Sequence, residues 1–328
     1  MKTIYKYIIA LITVSCLISC NNEWEDELFQ NTVSFGRNGV TDIHIRYKPD
    51  GKVSYKIPVE VSGSTINNRE YKVQVGLDID TLTDLNFERF RYREDLYFKL
   101  LEEKYYSLPS TEVIIPSGTN TATMDIDFTL EGIDMVEKYI LPLTIKDNPD
   151  YLVNYRKYYR KALLNIIPFN DYSGVYSATD GLVYERNIDE NNQTPMTMDT
   201  RQAFVVGQNS IFFYAGVTEE ELENRGLYKI VATFEEGSSE EEGPLTLEAP
   251  NADKIGFNPV SGSYSIRTEM DPQFPYLEHR YITLNMEYEY NEIITETARI
   301  EYRFRGTLTL ERKRNITIPD EDQQIIWE

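Results

Sequence analysis

Cysteine, histidine and tryptophan are nearly missing from this chain, with two of each in 328 residues. Cys16 and Cys20 both fall within the first twenty positions, so nothing downstream can build a disulfide frame, a cysteine-ligated zinc site or a cysteine nucleophile. His44 and His279 are the only imidazoles, and neither is preceded or followed by residues that suggest a hydrolytic triad. His44, between Ile43 and Ile45, reads as an outward residue of a strand. Basic residues are scarce as well: 33 Lys and Arg stand against 54 Asp and Glu, a formal net charge of −21. Phosphate backbones repel such a chain, which excludes nucleic acid as an expected partner. No G-x-S-x-G, H-E-x-x-H, phosphate-cradling loop or dinucleotide fingerprint occurs. The expectation is therefore no catalytic residue, no cofactor and no metal. Asp147-Asn148-Pro149-Asp150 has the oxygens for a calcium ion, but reads first as a plain turn.

Long apolar runs are absent after Ser19, and the one before it is short. Lys2 and Lys6, the apolar stretch Ile8 to Ile18 and the small Ser19 form the three parts of an export signal. That apolar stretch is about half of the ~20 residues a membrane-spanning helix needs. Cys20 follows Leu17-Ile18-Ser19 directly, an arrangement that resembles the bacterial lipobox. Residues 1–19 are then a lipoprotein signal peptide, Cys20 the lipidated first residue of the mature chain, and 20–30 an acidic tether. Several acyl chains, each buried methylene worth about 0.8 kcal/mol, would hold the protein to a membrane.

What the rest of the sequence has is alternation. In Thr121 to Phe128 the even positions are apolar and the odd ones polar, the period of a half-buried strand. Asp42–Tyr47, Val53–Val61, Tyr71–Leu77, Glu112–Ile115, Lys138–Ile145 and Lys161–Ile167 read the same way, with turn residues between them. The prediction is an antiparallel β-sandwich over residues 31–168. A helical insertion is predicted over Asn86 to Lys104, where Leu96, Tyr97, Leu100 and Leu101 have helical spacing. Pro168 to Asp171 reads as a linker to a second antiparallel β domain, barrel-like or sandwich, over 172–315, with a tail at 316–328. Tyr281–Tyr290 and Ala298–Leu310 are predicted to pair as a hairpin around Asn291 to Thr297. Glu287 and Glu289 would then face Arg299, Arg303 and Arg305 across it. Thr218-Glu219-Glu220-Glu221 fits a helix-capping box with Gly226 past the helix end. Glu235 to Gly243 reads as a mobile acidic loop.

The segment LPSTEVIIPSGTNTATMDIDF, with Tyr139-Ile140-Leu141-Pro142-Leu143-Thr144-Ile145 after it, resembles the immunoglobulin-like N-terminal domain of unknown function found in surface lipoproteins of gut Bacteroidetes. Residues from Tyr172 to about Asn315, opening on YSGVYSA, are similar to the β-barrel-like C-terminal domain that often follows it. The resemblance implies a mainly β protein of the kind encoded in glycan-utilisation loci, lipid-anchored in the outer membrane. Glu23, Glu25, Asp26 and Glu27 are similar to the acidic signal that sends such lipoproteins to the cell exterior, without the lysine often found beside it. The N-terminal domain is fused elsewhere to chitinase-like endo-hydrolases with the motif D-x-x-D-x-D-x-E. Setting Asp125 and Asp127 on its middle acids puts Ala122 at the first acid and Thr129 at the proton-donating glutamate, so the donor is missing.

Aromatic side chains are plentiful, with 25 Tyr and 14 Phe. Sugar rings lay their C–H faces on such planes, which makes exposed aromatics on restricted loops the expected anchors for a glycan. Asp271 to His279 offers Phe274, Tyr276 and His279 on a loop stiffened by Pro272 and Pro275; the plainer reading has these rings cover one end of the barrel. Tyr155, Tyr158 and Tyr159 among Arg156, Lys157, Arg160 and Lys161 read as the start of a strand, or else as a site for an acidic glycan. The predicted function is non-catalytic glycan binding or capture beside an outer-membrane glycan transporter. A structural or adhesive surface component and a glycoside hydrolase of unrecognised type are the alternatives.

Overall fold

A computed structural model describes residues 29–327 except Asp50, Lys157, Ser238 and Glu240. Cys20, Glu23, Glu25, Asp26 and Glu27, with the predicted signal peptide and most of the predicted tether, lie outside the described residues.

The first half of the described chain carries β1 (Thr32–Phe35), β2 (Gly39–Arg46), β3 (Val53–Ser62), β4 (Tyr71–Leu77), helix α1 (Ile79–Phe90), β5 (Lys99–Leu100), β6 (Tyr106–Ser107), β7 (Glu112–Ile115), β8 (Thr121–Phe128), β9 (Tyr139–Ile145), β10 (Leu152–Val153) and β11 (Lys161–Phe169). One sheet has the order β10-β1-β3-β8-β6 and the other β2-β11-β9-β4-β7, with β5 beside β9. Alternation drives the packing: Ile57, Val59, Met124 and Ile126 point into a shared core with Val73, Leu141, Leu143 and Leu164 of the facing sheet. The sandwich is not wholly antiparallel, because the chain leaves β1, turns at Gly36 to Asn38 and joins the opposite sheet as β2. There it runs parallel to β11, from Ala162 opposite Gly39 to Phe169 opposite Arg46.

The helix lies upstream of its predicted place. Asp78 caps α1 by accepting the Thr81 N–H at 3.1 Å, and Leu82 and Leu85 pack with Phe98 over Ile140 and Leu163 on the outer face of β9 and β11. That cover buries β9 on both faces, so the half-buried alternation expected of Lys138–Ile145 is not found: every residue from Tyr139 to Ile145 is buried except the half-buried Thr144. Within the predicted helical insertion, Glu94–Leu96 forms one 3-10 turn, Leu100 lies in β5 and Leu101 is buried in the sandwich core.

The second half carries β12 (Gly174–Glu185), β13 (Met196–Thr197), β14 (Thr200–Gly207), β15 (Ser210–Tyr214), β16 (Lys229–Phe234), β17 (Glu242–Glu248), α2 (Ala252–Ile255), β18 (Asn258–Met270), β19 (Leu277–Ile293), β20 (Arg299–Asn315), α3 (Glu321–Gln324) and β21 (Ile325–Ile326). Strands β12 and β14 to β20 pair in turn, and β12 closes on β20, giving a closed eight-stranded antiparallel barrel. Closure brings backbone against backbone at Gly306, which has φ +150° and where a Cβ would sit 2.1 Å from the Asp180 carbonyl oxygen. The hairpin of β19 and β20 sets Glu289 opposite Arg303 and Glu287 opposite Arg305 as the charge pattern predicts, with Arg303 Nη2 2.8 Å from Glu289 Oε1.

Three expectations give way here. Thr218 to Glu221 begins no α-helix; the segment turns and then makes the 3-10 helix Arg225–Tyr228, with Gly226 inside it. Its capping pattern loses to Arg225, which is buried and donates to the carbonyls of Asp95 and Val136 at 3.1 and 3.3 Å, tying barrel to sandwich. Pro168 and Phe169 belong to β11, and the buried Asn170 hydrogen-bonds Ser173, Gly207 and Ser210, so the junction is packed rather than a loose linker. Residues after 315 fold back: Ile326 and Ile325 pair with Lys313 and Arg314 of β20. Outward side chains of the barrel, Phe212 and Tyr214, join the sandwich core cluster, so the two halves share buried surface. Among the described residues no helix is long and apolar enough to cross a membrane.

Candidate functional site

Where sandwich and barrel meet, an open cleft of about 400 Å³ lies between β2 and β11 on one side and β12, β14 and β20 on the other, with β21 and Trp327 at its edge. The same alternation that builds the core builds its walls. Ile43 and Ile45 point inward on β2, which leaves Asp42 and His44 on the opposite face. Asn165, the register partner of Asp42 on β11, donates to its carboxylate at 2.7 Å. Across the cleft, outward positions of the barrel supply Val175, Gln202, Phe204, Glu311 and Lys313.

Its aromatic part is one that sequence reading did not find. The Trp327 indole lies flat on the His44 imidazole, centroids 3.8 Å apart and planes 7° from parallel, with Phe169 at 4.9 Å and 69°. His44 is thus on the outward face as expected, yet covered by an indole from the far end of the chain. Trp327 keeps 37% of its surface exposed. Nearby, the buried Arg312 donates to the carbonyls of Asn170 (2.8 Å) and Ser173; burial pulls its pKa down to about 10.

Phe274 and Tyr276 are exposed, with ring centroids 5.9 Å apart. Asp271 holds their loop by accepting the N–H groups of Gln273 and Phe274 at 2.8 and 2.9 Å. His279 differs from them. Its Nε2 lies 3.1 Å from Asp271 and its Nδ1 2.6 Å from Glu311, so both ring nitrogens are engaged and the imidazole fastens the loop to a carboxylate that lines the cleft. Tyr281 donates to the same Glu311 carboxylate at 3.1 Å.

The two histidines are therefore driven in opposite directions. Hydrogen bonding to Glu311, aided by Asp271, raises the His279 pKa against some desolvation. Burial lowers that of His44, with Asp42 opposing and Arg312 adding to the shift. Two histidine C–H resonances are expected to titrate on either side of the ordinary imidazole value of about 6.5, assigned with His44→Gln and His279→Gln; titration of both on one side would contradict the geometry. For stability, the His279 contribution is complete below the ordinary value and fades as pH rises through the raised one. His44 acts the other way, costing stability as pH falls below the ordinary value.

The remaining candidates resolve plainly. Asp125 and Asp127 sit on the outward face of β8, opposite Lys56 and Ser54 of β3. Asp147 accepts from Tyr155 at 2.6 Å and pairs with Arg160 at 3.2 Å, while Asn148 accepts the Asp150 N–H, the geometry of a turn. Tyr155 and Tyr158 are exposed in the loop that precedes β11. Among the described residues there is no group of three or more His, Cys, Asp or Glu placed to hold a metal. The cleft can stack a ring and hydrogen-bond hydroxyls.

Comparison with known proteins places residues 24–149 in the family described as a domain of unknown function, DUF4973, and matches 160–309 to a C-terminal domain family. A structural-genomics protein of unknown function from Bacteroides ovatus is 41% identical, covering 90% of this chain and 100% of its own, with a TM-score of 0.80. A multidomain protein including DUF1735, also from Bacteroides ovatus, is 40% identical over 90% of this chain and 99% of its own, again with a TM-score of 0.80. A protein described as an auxiliary nutrient binding protein, from Bacteroides thetaiotaomicron, is 36% identical over 88% of this chain and 96% of its own, with a TM-score of 0.79. No curated protein gives a significant match.

Proposed function

Since the chain belongs to this family of Bacteroides proteins, one of which is described as an auxiliary nutrient binding protein, we propose that it binds a glycan without cleaving it, in the cleft between sandwich and barrel. One observation carries the reading: an open cleft joins a partly exposed indole, stacked on His44, to the hydrogen-bonding groups of Asp42, Asn165, Gln202 and Glu311. Aromatic planes and convergent polar groups on rigid strands are what a sugar ring requires. The loop with Phe274 and Tyr276 is an accessory contact, held to the cleft through His279 and Glu311.

The setting belongs to the same proposal. The chain is anchored by lipid on Cys20 in the outer membrane, faces outward under the acidic signal Glu23, Glu25, Asp26 and Glu27, and hands its glycan to an outer-membrane transporter. Globomycin-sensitive processing and labelling of the wild type, but not Cys20→Ala, with a palmitate analogue would support the anchor; unchanged labelling would overturn it.

Affinity electrophoresis and calorimetry of the mature protein on a polysaccharide panel test the binding. Retardation by at least one glycan, with no reducing sugar released, is the expected outcome. Failure to bind any member of a broad panel, or release of reducing ends, would overturn the proposal. The double variant Phe274→Ala and Tyr276→Ala is expected to lose about fivefold in affinity, roughly 1 kcal/mol, at unchanged melting temperature. Unaltered affinity would remove the loop from the site.

A further inference from the structure

Beside the cleft, and sharing Arg312 and Ile325 with it, lies a second and smaller pocket of about 100 Å³. Four guanidinium groups line it, from Arg46, Arg280, Arg312 and Arg314, against the carboxylates of Asp171 and Glu321. Such a gathering of cations is unexpected in a protein of net charge −21. Three of the four arginines have an ion-pair or hydrogen-bond partner, although the Nε of Arg314, like that of Arg280, makes no hydrogen bond. Arg46 pairs with Asp171 at 3.0 Å and with Asp322, Arg312 donates to the two carbonyls named above, and Arg314 Nε lies 3.0 Å from Glu278.

Arg280 differs. Among the described residues it has no hydrogen-bond acceptor and no ion-pair partner, and its Nε is shielded from solvent. Its nearest electrostatic neighbours include Arg312, which it opposes. A guanidinium with a desolvated donor unmatched is costly, and an anion at its remaining donors would offset that cost. Its planar fork suits a bidentate oxyanion. The volume is enough for a sulfate, phosphate or carboxylate group.

We propose that this pocket binds a small oxyanion, with Arg280 as its principal ligand and Arg314 and Arg312 completing the positive surround. The anion is either free in solution or a sulfate or carboxylate substituent carried by a glycan in the adjoining cleft. The site itself does not depend on glycan binding.

Sodium sulfate and sodium chloride at matched ionic strength separate specific binding from screening. Sulfate is expected to raise the melting temperature saturably, by roughly 5 °C, where chloride does not. Calorimetric titration of the wild type with sulfate is expected to give one saturable site. Arg280→Gln is expected to weaken that binding at least tenfold while keeping its circular dichroism spectrum, with a melting temperature in chloride no lower than that of the wild type. Equal effects of the two salts, no saturable sulfate heat, or undiminished binding by Arg280→Gln would each overturn the site, and none of these bears on binding of neutral glycans in the cleft. Adding sulfate during glycan titration tells the source. Competition identifies a substituent of the glycan, and independent binding identifies a free anion; both are consistent with the site.

Discussion

Substituting alanine for Trp327 is expected to weaken glycan binding about 100-fold, a loss of roughly 2.7 kcal/mol. The indole is the largest aromatic surface in the cleft and is braced by the His44 imidazole at 3.8 Å and by Phe169 at 4.9 Å. A braced ring meets a sugar with little rotamer entropy left to lose, which places it among the residues that dominate binding. Trp327→Phe should recover part of the affinity by restoring a plane. Calorimetry with the best ligand from the panel measures both, and unchanged affinity of Trp327→Ala would move the site away from the cleft. Loss of binding through unfolding is separable, because the melting temperature reports it directly.

Arg312→Met is expected to destabilise the fold by about 3 kcal/mol, seen as a fall in melting temperature of roughly 6 to 12 °C. The guanidinium is 6% exposed and donates to the backbone carbonyls of Asn170 and Ser173, where β11 passes into β12. Each hydrogen bond from a charged donor is worth about 1.5 to 3 kcal/mol, and its removal leaves a buried carbonyl unpaired. Relief from burying the charge itself offsets part of that loss. Methionine keeps the length and apolar stem of the side chain, so the change reports the bonds rather than a cavity. Denaturation by urea followed at two wavelengths gives the value; a shift under 1 kcal/mol would show that the junction is held without Arg312.

Strand positions were legible wherever one face of a sheet meets water, because period-2 alternation is a local property. Thr121 to Phe128 and the hairpin of Tyr281 to Tyr290 with Ala298 to Leu310 show this, and the opposed Glu289 and Arg303 even reveal the register. The reading failed where both faces are covered or where a distant group outweighs local preference. Helix α1 lies upstream of the predicted Asn86 to Lys104 because what makes it a helix is the surface of β9 and β11 it covers. Thr218 to Glu221 carries a helix-start pattern that yields to the clamp of Arg225 on Asp95 and Val136. In the candidate site, Phe274 and Tyr276 could be named from a proline-bounded loop. Trp327 could not, since its partner His44 is 283 positions away and no spacing rule connects them.

By itself, then, the sequence determined a mainly β chain, strongly acidic, without a recognisable catalytic set and with its two cysteines both within the first twenty positions. These follow from composition and from short-range periodicity. Only the tertiary structure decided that the second sheet closes into a barrel through β12 and β20, that the last residues return to lay Trp327 on His44, and that four arginines spread from Arg46 to Arg314 surround one small pocket. Each of these depends on contacts between residues far apart in the chain, whose worth is set by burial and by what stands opposite, quantities that no local pattern encodes.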